Sequence, residues 1–591
     1  YIPELARHYH ALAQGAVRKE LRNAKAYYAA AADYYRLYLD SFPGDPAVPE
    51  LGFLLAESLY EAGDYRAAID AYERVAYDYG DAGNAADAAY TAILAYDRLS
   101  VPEGSRLELR RQRVESELRF QRSFATDSRA PAVLGHAAGT LLEMEDYPGA
   151  LAAATTLVGL APEPDRSLLI PAWLVIGHSR VALDDFIGAE SAYERGLALL
   201  PADDDRAPAT REHLAAAIYR QAEQAAALGE DSAAAGQFQR AAAAAPNSGI
   251  SANAQFDAAQ ALLRAGELAQ ANALLRDFRV SHPDNELSAG IGATLLANYE
   301  QLELWGDAAA ELDRMRVKDE VAGDAARQSL VVAARYYEQA GDSATATARY
   351  RTYAETWPRP VDERLEVINR LAELYAAAGD RDERYHWLEQ TMAVHDGAGA
   401  AQSDRSRYLA ASAAAELADH AYDGFGALRL SQPVERSLPA KKSAMETALA
   451  GYTRCNDYAV EQFVTRCTYR LGLVYQQFSG ELMNSERPAG LDALALEQYE
   501  IMLEETAYPF EEKAIALHEA NALRCRKGVY DSWVRDSFAS LAELLPARYG
   551  KREVASADEL MAASEISVRR SRKVAAFNDD AIALRRDGNF A

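Results

Sequence analysis

Residues 173–201 read WLVIGHSRVALDDFIGAESAYERGLALLP. Two apolar-periodic stretches meet at an acidic turn: Trp173, Ile176 and Gly177 precede it, Phe186, Ala189 and Tyr193 follow it, and Pro201 closes the segment. Two amphipathic runs of roughly 13 to 16 residues split by a tight turn predict a pair of antiparallel helices. A small residue one turn into the second helix lets the backbones approach toward the short end of the ~8 to 10 Å range. The aromatic four positions later lies on the same face and fills the gap toward the next pair. Proline cannot continue the helix and so marks its end.

Working outward, the pattern returns about every 37 residues. Ala31 is followed by Tyr35, Tyr38 and Pro43; Gly63-Asp64-Tyr65 by Ala68, Tyr72 and Val75; Ala150 by Pro162. Ala234 precedes Phe238 and Pro246, Ala271 precedes Leu275, Phe278 and Pro283, Ala308 precedes Leu312, and Ala346 precedes Tyr350, Tyr353 and Pro358. From Ala234 to Ala271, Ala308, Ala346 and the degenerate Arg384 the steps are 37, 37, 38 and 38. Gly63, Gly229, Gly266, Gly341 and Gly379 stand where each first helix should end, in the left-handed conformation glycine adopts freely. The 591 residues exceed one compact core, and a solenoid whose repeats touch only their neighbours accommodates that length. The fold class expected is all-α.

These residues resemble the tetratricopeptide repeat, whose usual period of 34 is shorter than the one here. The resemblance implies a solenoid of antiparallel helix pairs in a right-handed superhelix, with a concave groove lined by the first helix of each pair. Carried over position by position, it implies that Glu57, Tyr60, His178, Asn253, Gln260, Arg335, Glu338, Asn369 and Glu373 face a bound protein. Members that grip a chaperone's terminal carboxylate use clustered lysines, which these positions lack, so a chaperone-tail receptor is disfavoured. The array is read as residues 1–400, degenerate at 81–131, where helices are expected over Ala82 to Leu99 and Leu107 to Phe124.

Charge and motifs narrow the function. A formal net charge of −27 repels nucleic-acid phosphates, so nucleic acid is not expected as a partner. No Walker loop, dinucleotide fingerprint, zinc-protease helix, nucleophile elbow or paired-cysteine knuckle occurs. His8 and His10 would splay by ~200° on a helix, so no metal is expected there, and Glu57 with Glu61 reads as a solvated helix face. No catalytic residue, metal or cofactor is therefore expected. No stretch approaches ~20 apolar residues. The chain begins at Tyr1 instead of Met, and a leader, lipid-anchored cysteine or membrane helix is expected to have been removed or left out, allowing peripheral membrane association. Of three cysteines, Cys455 and Cys467 are expected about 15 Å apart along their helices, which disfavours their pairing. Buried free thiols, or a Cys467 to Cys525 bridge, remain.

After about residue 400 the repeats lengthen, and residues 401–550 read as a separate helical module. Its helices are expected near 404–425, 441–453, 458–482, 492–506, 510–527 and 530–545, divided by Pro433, Pro439, Pro488 and Pro509. Residues 551–591 form a charged tail in which Arg569, Arg570, Arg572 and Lys573 cluster and Arg585 and Arg586 follow, with Glu565, Asp579 and Asp580 as local counter-charges. Tyr508, Phe510, Tyr530 and Trp533 with that cluster make a candidate docking surface, since aromatics and Arg dominate interface hot spots. The run Tyr508-Pro509-Phe510, His518-Glu519-Ala520-Asn521, Gly528-Val529-Tyr530-Asp531-Ser532-Trp533 and Leu544-Leu545-Pro546 is similar to the C-terminal part of long tetratricopeptide proteins of Gram-negative bacteria. Those are associated with Tol/Ton-type or gliding-motility systems of the envelope. The junctions Phe42-Pro43, His282-Pro283 and Trp357-Pro358 resemble those of periplasmic repeat proteins. The function expected is a non-enzymatic periplasmic scaffold holding subunits of an envelope complex. A cytoplasmic multiprotein adaptor, or the accessory region of an envelope enzyme, are the alternatives.

Overall fold

The computed structural model describes residues 1–79, 83–201, 203–318, 321–551 and 566–576. Between Ile2 and Tyr549 the described residues form 26 α-helices packed in consecutive pairs, and 566–576 is helical as well. The fold is an all-α, tetratricopeptide-like solenoid. Its contacts divide it into two units, Tyr1–Leu302 and Glu303–Ala591.

The hairpin of Val48–Ala62 and Tyr65–Tyr77 shows how the first unit is built. Gly63 ends the first helix at φ 95°, donating its N–H to the carbonyls of Leu59 and Tyr60, while the Asp64 N–H reaches Leu59 as well. The Asp64 carboxylate then accepts from the Ala67 N–H at 3.2 Å and caps the second helix. Asp146, Asp185, Asp342 and Asp380 repeat that cap. All five predicted turn glycines lie at positive φ. Where glycine is missing, Glu20, Glu145, Asp184, Glu303 and Ala459 take the left-handed conformation, which hid five turns from a search for glycine. Ala189, Ala271, Ala308 and Ala346 are fully buried between helices as expected. Gly177 exists because of Tyr193: a Cβ there would stand 2.5 Å from the tyrosine ring. The aromatics of the three aromatic-proline junctions each end a helix and stack one turn back, Phe42 on Tyr38 at 5.1 Å, His282 on Phe278 at 4.9 Å and Trp357 on Tyr353 at 5.5 Å.

In the second unit the five helices from Trp305–Val317 to Arg381–Gly397 run 13 to 18 residues. The next four, Asp404–Ala427, Val434–Asp457, Glu461–Met483 and Ala493–Ala522, run 24, 24, 23 and 30. Two expected boundaries fail. Pro439 lies inside Val434–Asp457, and Pro509 inside Ala493–Ala522, which joins the helices expected at 492–506 and 510–527. Burial outweighs the lost hydrogen bond at Pro509, because Leu503 and Ala507 before it and Ala514 and His518 after it are all buried on one side. Pro433 does mark a boundary: it follows Gln432 across a cis peptide bond and immediately precedes the helix that starts at Val434.

The cysteine expectation is also overturned. Cys455 and Cys467 form a disulfide with their Cα atoms 6.4 Å apart, and Cys525 is free and exposed. The first helix extends to Asp457 and the second begins at Glu461, so both cysteines sit on facing walls of one hairpin. In antiparallel helices the axial offset is the difference of the two distances from the turn, about 6 Å at 1.5 Å per residue, not their sum. In the degenerate region, helices Ala85–Tyr96 and Arg106–Ser123 stand where two were expected. Ala82, Glu565, Asp579, Asp580, Arg585 and Arg586 lie outside the described residues.

Candidate protein-binding groove

Helices Gly323–Gln339 and Val361–Ala378 open consecutive hairpins of the second unit, with Ser343–Thr356 between them. Ala346 and Ala334 have no exposed surface, which brings Ser343–Thr356 close to the helix before it and leaves a channel between the two first helices. That groove encloses about 690 Å³. Its apolar lining is Val331, Val332 and Val367 with the rings of Tyr350 and Tyr353, and its polar walls carry Gln328, Arg335, Glu338, Gln339, Glu363, Glu366 and Arg370.

Most of the charge is held in place by the protein itself. Arg370 donates from Nε to Glu338 Oε2 at 3.1 Å and from Nη1 to Glu373 Oε2 at 2.6 Å. Burial pushes the Glu338 carboxyl up, but hydrogen bonds from Arg370 and Tyr350 outweigh it and hold the group below the usual glutamate range. Burial first, then the bond to Glu338, raises the Tyr350 hydroxyl. Opposite, Arg327 is buried and bonded to Glu363 and, at 2.8 Å, to the Tyr353 hydroxyl, which itself donates to Glu363 at 3.1 Å. Glu366 is gripped by Arg405 through two bonds of 2.6 and 3.0 Å. Arg335 is exposed and makes no hydrogen bond or ion pair among the described residues. The walls therefore present fixed donors and acceptors, with one cation left over.

Of the nine groove positions implied by the sequence, Arg335 and Glu338 line this channel, and Asn369 with Glu373 adjoin it: Asn369 donates to Glu373 at 2.9 Å. The other five lie in the first unit and line neither its 300 Å³ cavity between Arg36, Gly52 and Tyr79 nor its 520 Å³ cavity between Arg111, Leu141 and Asp146. Glu57 is 3.9 Å from the buried His10 ring, and Tyr60 packs edge-on against Tyr65. His178 is turned into the helix interface, bonded to the Tyr193 hydroxyl at 2.9 Å and packed 4.6 Å from His213; burial, then His213, lowers its pKa. Asn253 is exposed and Gln260 half-buried. Sequence reading missed Arg327, Glu363, Glu366 and Arg370, which look like ordinary helix surface, and took Tyr350 and Tyr353 only as packing anchors. The one readable trace was the spacing of Arg370 and Glu373.

The C-terminal candidates separate into two kinds. Tyr508 and Tyr530 are exposed, as are Arg569, Arg570, Arg572 and Lys573 on 566–576. Phe510 packs on Phe478 at 4.8 Å, and Trp533 on Tyr469 at 5.7 Å beneath Arg466 and Arg470. The familiar-looking run around them is internal framework. Asn521 is buried and donates to the Thr465 carbonyl at 3.1 Å and Ser537 Oγ at 2.8 Å, Thr465 donates to Asp531 at 2.6 Å, and the His518 ring lies against Gly472.

Among the described residues no group of three or more His, Cys, Asp or Glu side chains could hold a metal ion, and no helix is long and apolar enough to cross a membrane. The sequence profile of the tetratricopeptide repeat family matches residues 50–82 and 253–285. Those two segments thus match the tetratricopeptide repeat, a class of module that mediates protein–protein interactions. No curated protein matches it. Among solved structures, it is similar to Naa15/Naa10 bound to HypK-THB (11% identity, 99% of this chain and 94% of that one, TM-score 0.30). It is also similar to a tetratricopeptide repeat protein from Parabacteroides merdae (14%, 52% and 98%, 0.18) and to PilW, a widely conserved type IV pilus biogenesis factor (15%, 39% and 96%, 0.17).

Proposed function

We propose that this chain is a non-enzymatic scaffold of a bacterial cell-envelope complex, and that it holds an extended segment of a partner protein in the Gln328 to Arg370 groove. The observation that carries this reading is the groove's composition. An extended segment presents apolar side chains and unpaired backbone amides and carbonyls, which need an apolar floor with both donors and acceptors on the walls. Valines 331, 332 and 367 supply the floor, and Gln328, Gln339, Arg335 and the clamped glutamates supply the walls. Because the Arg370–Glu338 and Arg327–Glu363 clamps are already made, a partner binds without having to order them. The C-terminal module is proposed as a second docking site for a folded subunit, through the exposed Tyr530.

The buried Cys455–Cys467 disulfide supports the envelope assignment, since such bonds persist in oxidising compartments and are rare in reducing cytosol. The resemblance of the C-terminal run to envelope tetratricopeptide proteins points the same way.

Placing a photo-crosslinking residue at position 335 tests the groove in the native envelope. It should capture a partner that a probe at exposed Leu228, in the first unit, does not, and Val331→Glu with Val332→Glu, both half-buried on the groove floor, should cut that capture at least tenfold while thermal unfolding stays cooperative. Undiminished capture by the double variant would sink the groove reading. For the compartment, Cys455 and Cys467 should resist alkylation in intact cells until a reductant is added; immediate labelling of both in denatured lysate would remove the support.

A further inference from the structure

The helix Ala493–Ala522 packs by one side only. Leu503, Ala507 and Ala514 are buried, and none of residues 493–502 is. Turned away from that side, Leu494, Ile501 and Tyr508 recur at seven-residue steps, 65%, 51% and 56% exposed. At 100° per residue they form a single outward stripe, and Glu497, Glu504 and Glu505 flank it. These three glutamates have no ion-pair partner among the described residues.

The same unit holds a second unpartnered element of opposite sign. The helix at 566–576 is exposed at every position, including Ile566, Val568 and Val574. Ile566, Arg569, Arg570 and Lys573, at i, i+3, i+4 and i+7, share one face. A helix this short is marginal in water on its own, so it needs a surface to pack against. In a chain of net charge −27, a face of three bases around an apolar anchor is complementary to an acidic stripe with apolar anchors.

We propose that the helix 566–576 docks in cis on the outward stripe of Ala493–Ala522, seating Ile566 beside Ile501 and pairing its bases with the flanking Glu497, Glu504 and Glu505. Reach permits this. Arg548 and Tyr549 both bond Glu519, which anchors the chain near the C-terminal end of the long helix. From Glu519 back to Tyr508 the helix rises about 16 Å, and back to Leu494 about 38 Å. The chain from residue 551 to residue 566 can span at most ~50 Å. Tethering at that length gives an effective concentration in the millimolar range, so a contact too weak to hold two separate molecules suffices in cis.

Hydrogen exchange on the full chain tests the proposal. Amides of 566–576 should exchange at least tenfold more slowly than unstructured rates, equally at low and high protein concentration. Ile501→Asp, or Glu504→Arg with Glu505→Arg, should abolish that protection. Both replace side chains that face away from the core, so protection around Leu503 and Ala514 should persist and report an intact fold. Adding Arg569→Glu and Arg570→Glu to the glutamate double variant should restore protection. Free exchange of 566–576 in the unaltered chain overturns the proposal. So does protection that grows with protein concentration, which would make the occupant a second copy. Protection that appears only with phosphatidylglycerol vesicles would make it a lipid surface and overturns it equally.

Discussion

The groove between Gly323–Gln339 and Val361–Ala378 and the module, the run of long helices from Asp404 to Tyr549, share one unit and handle polar groups in opposite ways. In the groove region the interior is alanine, leucine and aromatic, and the charged groups stand on the walls in clamps open to water, Arg370 with Glu338 and Arg405 with Glu366. In the module the polar chemistry is inside. Lys441 is fully buried, donating to the carbonyls of Phe425 and Leu428 at 2.8 Å and to Glu481, with the Phe425 ring 3.8 Å away. His518 and Asn521 are buried as well, and a disulfide joins two helices. Long helices that pack on several neighbours are locked by such groups, whereas short repeats are locked by their regular alanine and aromatic spacing. Conspicuous polar residues in the module are therefore framework, and inconspicuous ones in the repeats form the binding surface.

The sharpest way to break this contrast is to remove one cation from each region. Lys441→Ala leaves the carbonyls of Phe425 and Leu428 without their buried donor and Glu481, part-exposed, with Gln477 as its remaining partner, and should destabilise the module by about 3 kcal/mol. Arg370→Ala opens a clamp that is already half in water and should cost no more than about 1 kcal/mol. Denaturant midpoints of the two variants decide it; equal losses would remove the distinction. Next in size is the Cys455–Cys467 bridge, which closes a short loop. Reduction, or Cys455→Ser with Cys467→Ser, should lower module stability by about 2 to 4 kcal/mol while hydrogen exchange around Leu330 and Leu371 is unchanged.

Acid should act on the module through His518. Burial pushes this imidazole down to about 4 from its ordinary 6.5. The unfolded chain therefore takes up a proton on His518 before the folded one does as the pH falls. Stability from this group is fully present above pH ~6.5 and declines toward pH ~4, by on the order of 3 kcal/mol. A stability profile over that range should flatten in His518→Leu, and a profile as steep in the variant as in the unaltered protein would assign the acid sensitivity elsewhere.

What could be read in the sequence followed the same division. Repeat spacing dictated the hairpins, because alanine, aromatic and turn residues act within one or two neighbouring helices. Ala271 and Tyr193 sit where the spacing put them, and even the Gly177 gap follows from Tyr193. The module resisted, because its boundaries rest on long-range burial: Pro509 looks like a stop until Ala507 and Ala514 are seen packed on one side. The disulfide was missed because one hairpin's helix ends were misjudged by a few residues, enough to turn facing cysteines into distant ones. Within the groove, Arg335 and Glu338 were accessible from repeat position alone, whereas Arg327 and Arg370 acquire meaning only from carboxylates 36 and 32 residues away.

The smallest expected effect on stability is the most informative about binding. Arg335 stands on the groove wall without a hydrogen bond or ion pair among the described residues, so Arg335→Ala removes no clamp and exposes no cavity. Its unfolding free energy should stay within about 0.5 kcal/mol of the unaltered chain. Glu338 loses the nearby charge of Arg335 but keeps the hydrogen bonds from Arg370 and Tyr350 that hold its carboxyl below the usual glutamate range. A partner segment in the groove loses its one unclaimed cation, and its retention should weaken several-fold, more at low salt than at high salt. Arg335→Lys should recover much of that loss if the group acts as a charge, and little of it if the flat guanidinium donates two directed bonds. A drop in stability as large as that of Arg370→Ala would instead make Arg335 part of the framework, and the line between clamped and available charge in this groove would have to be redrawn.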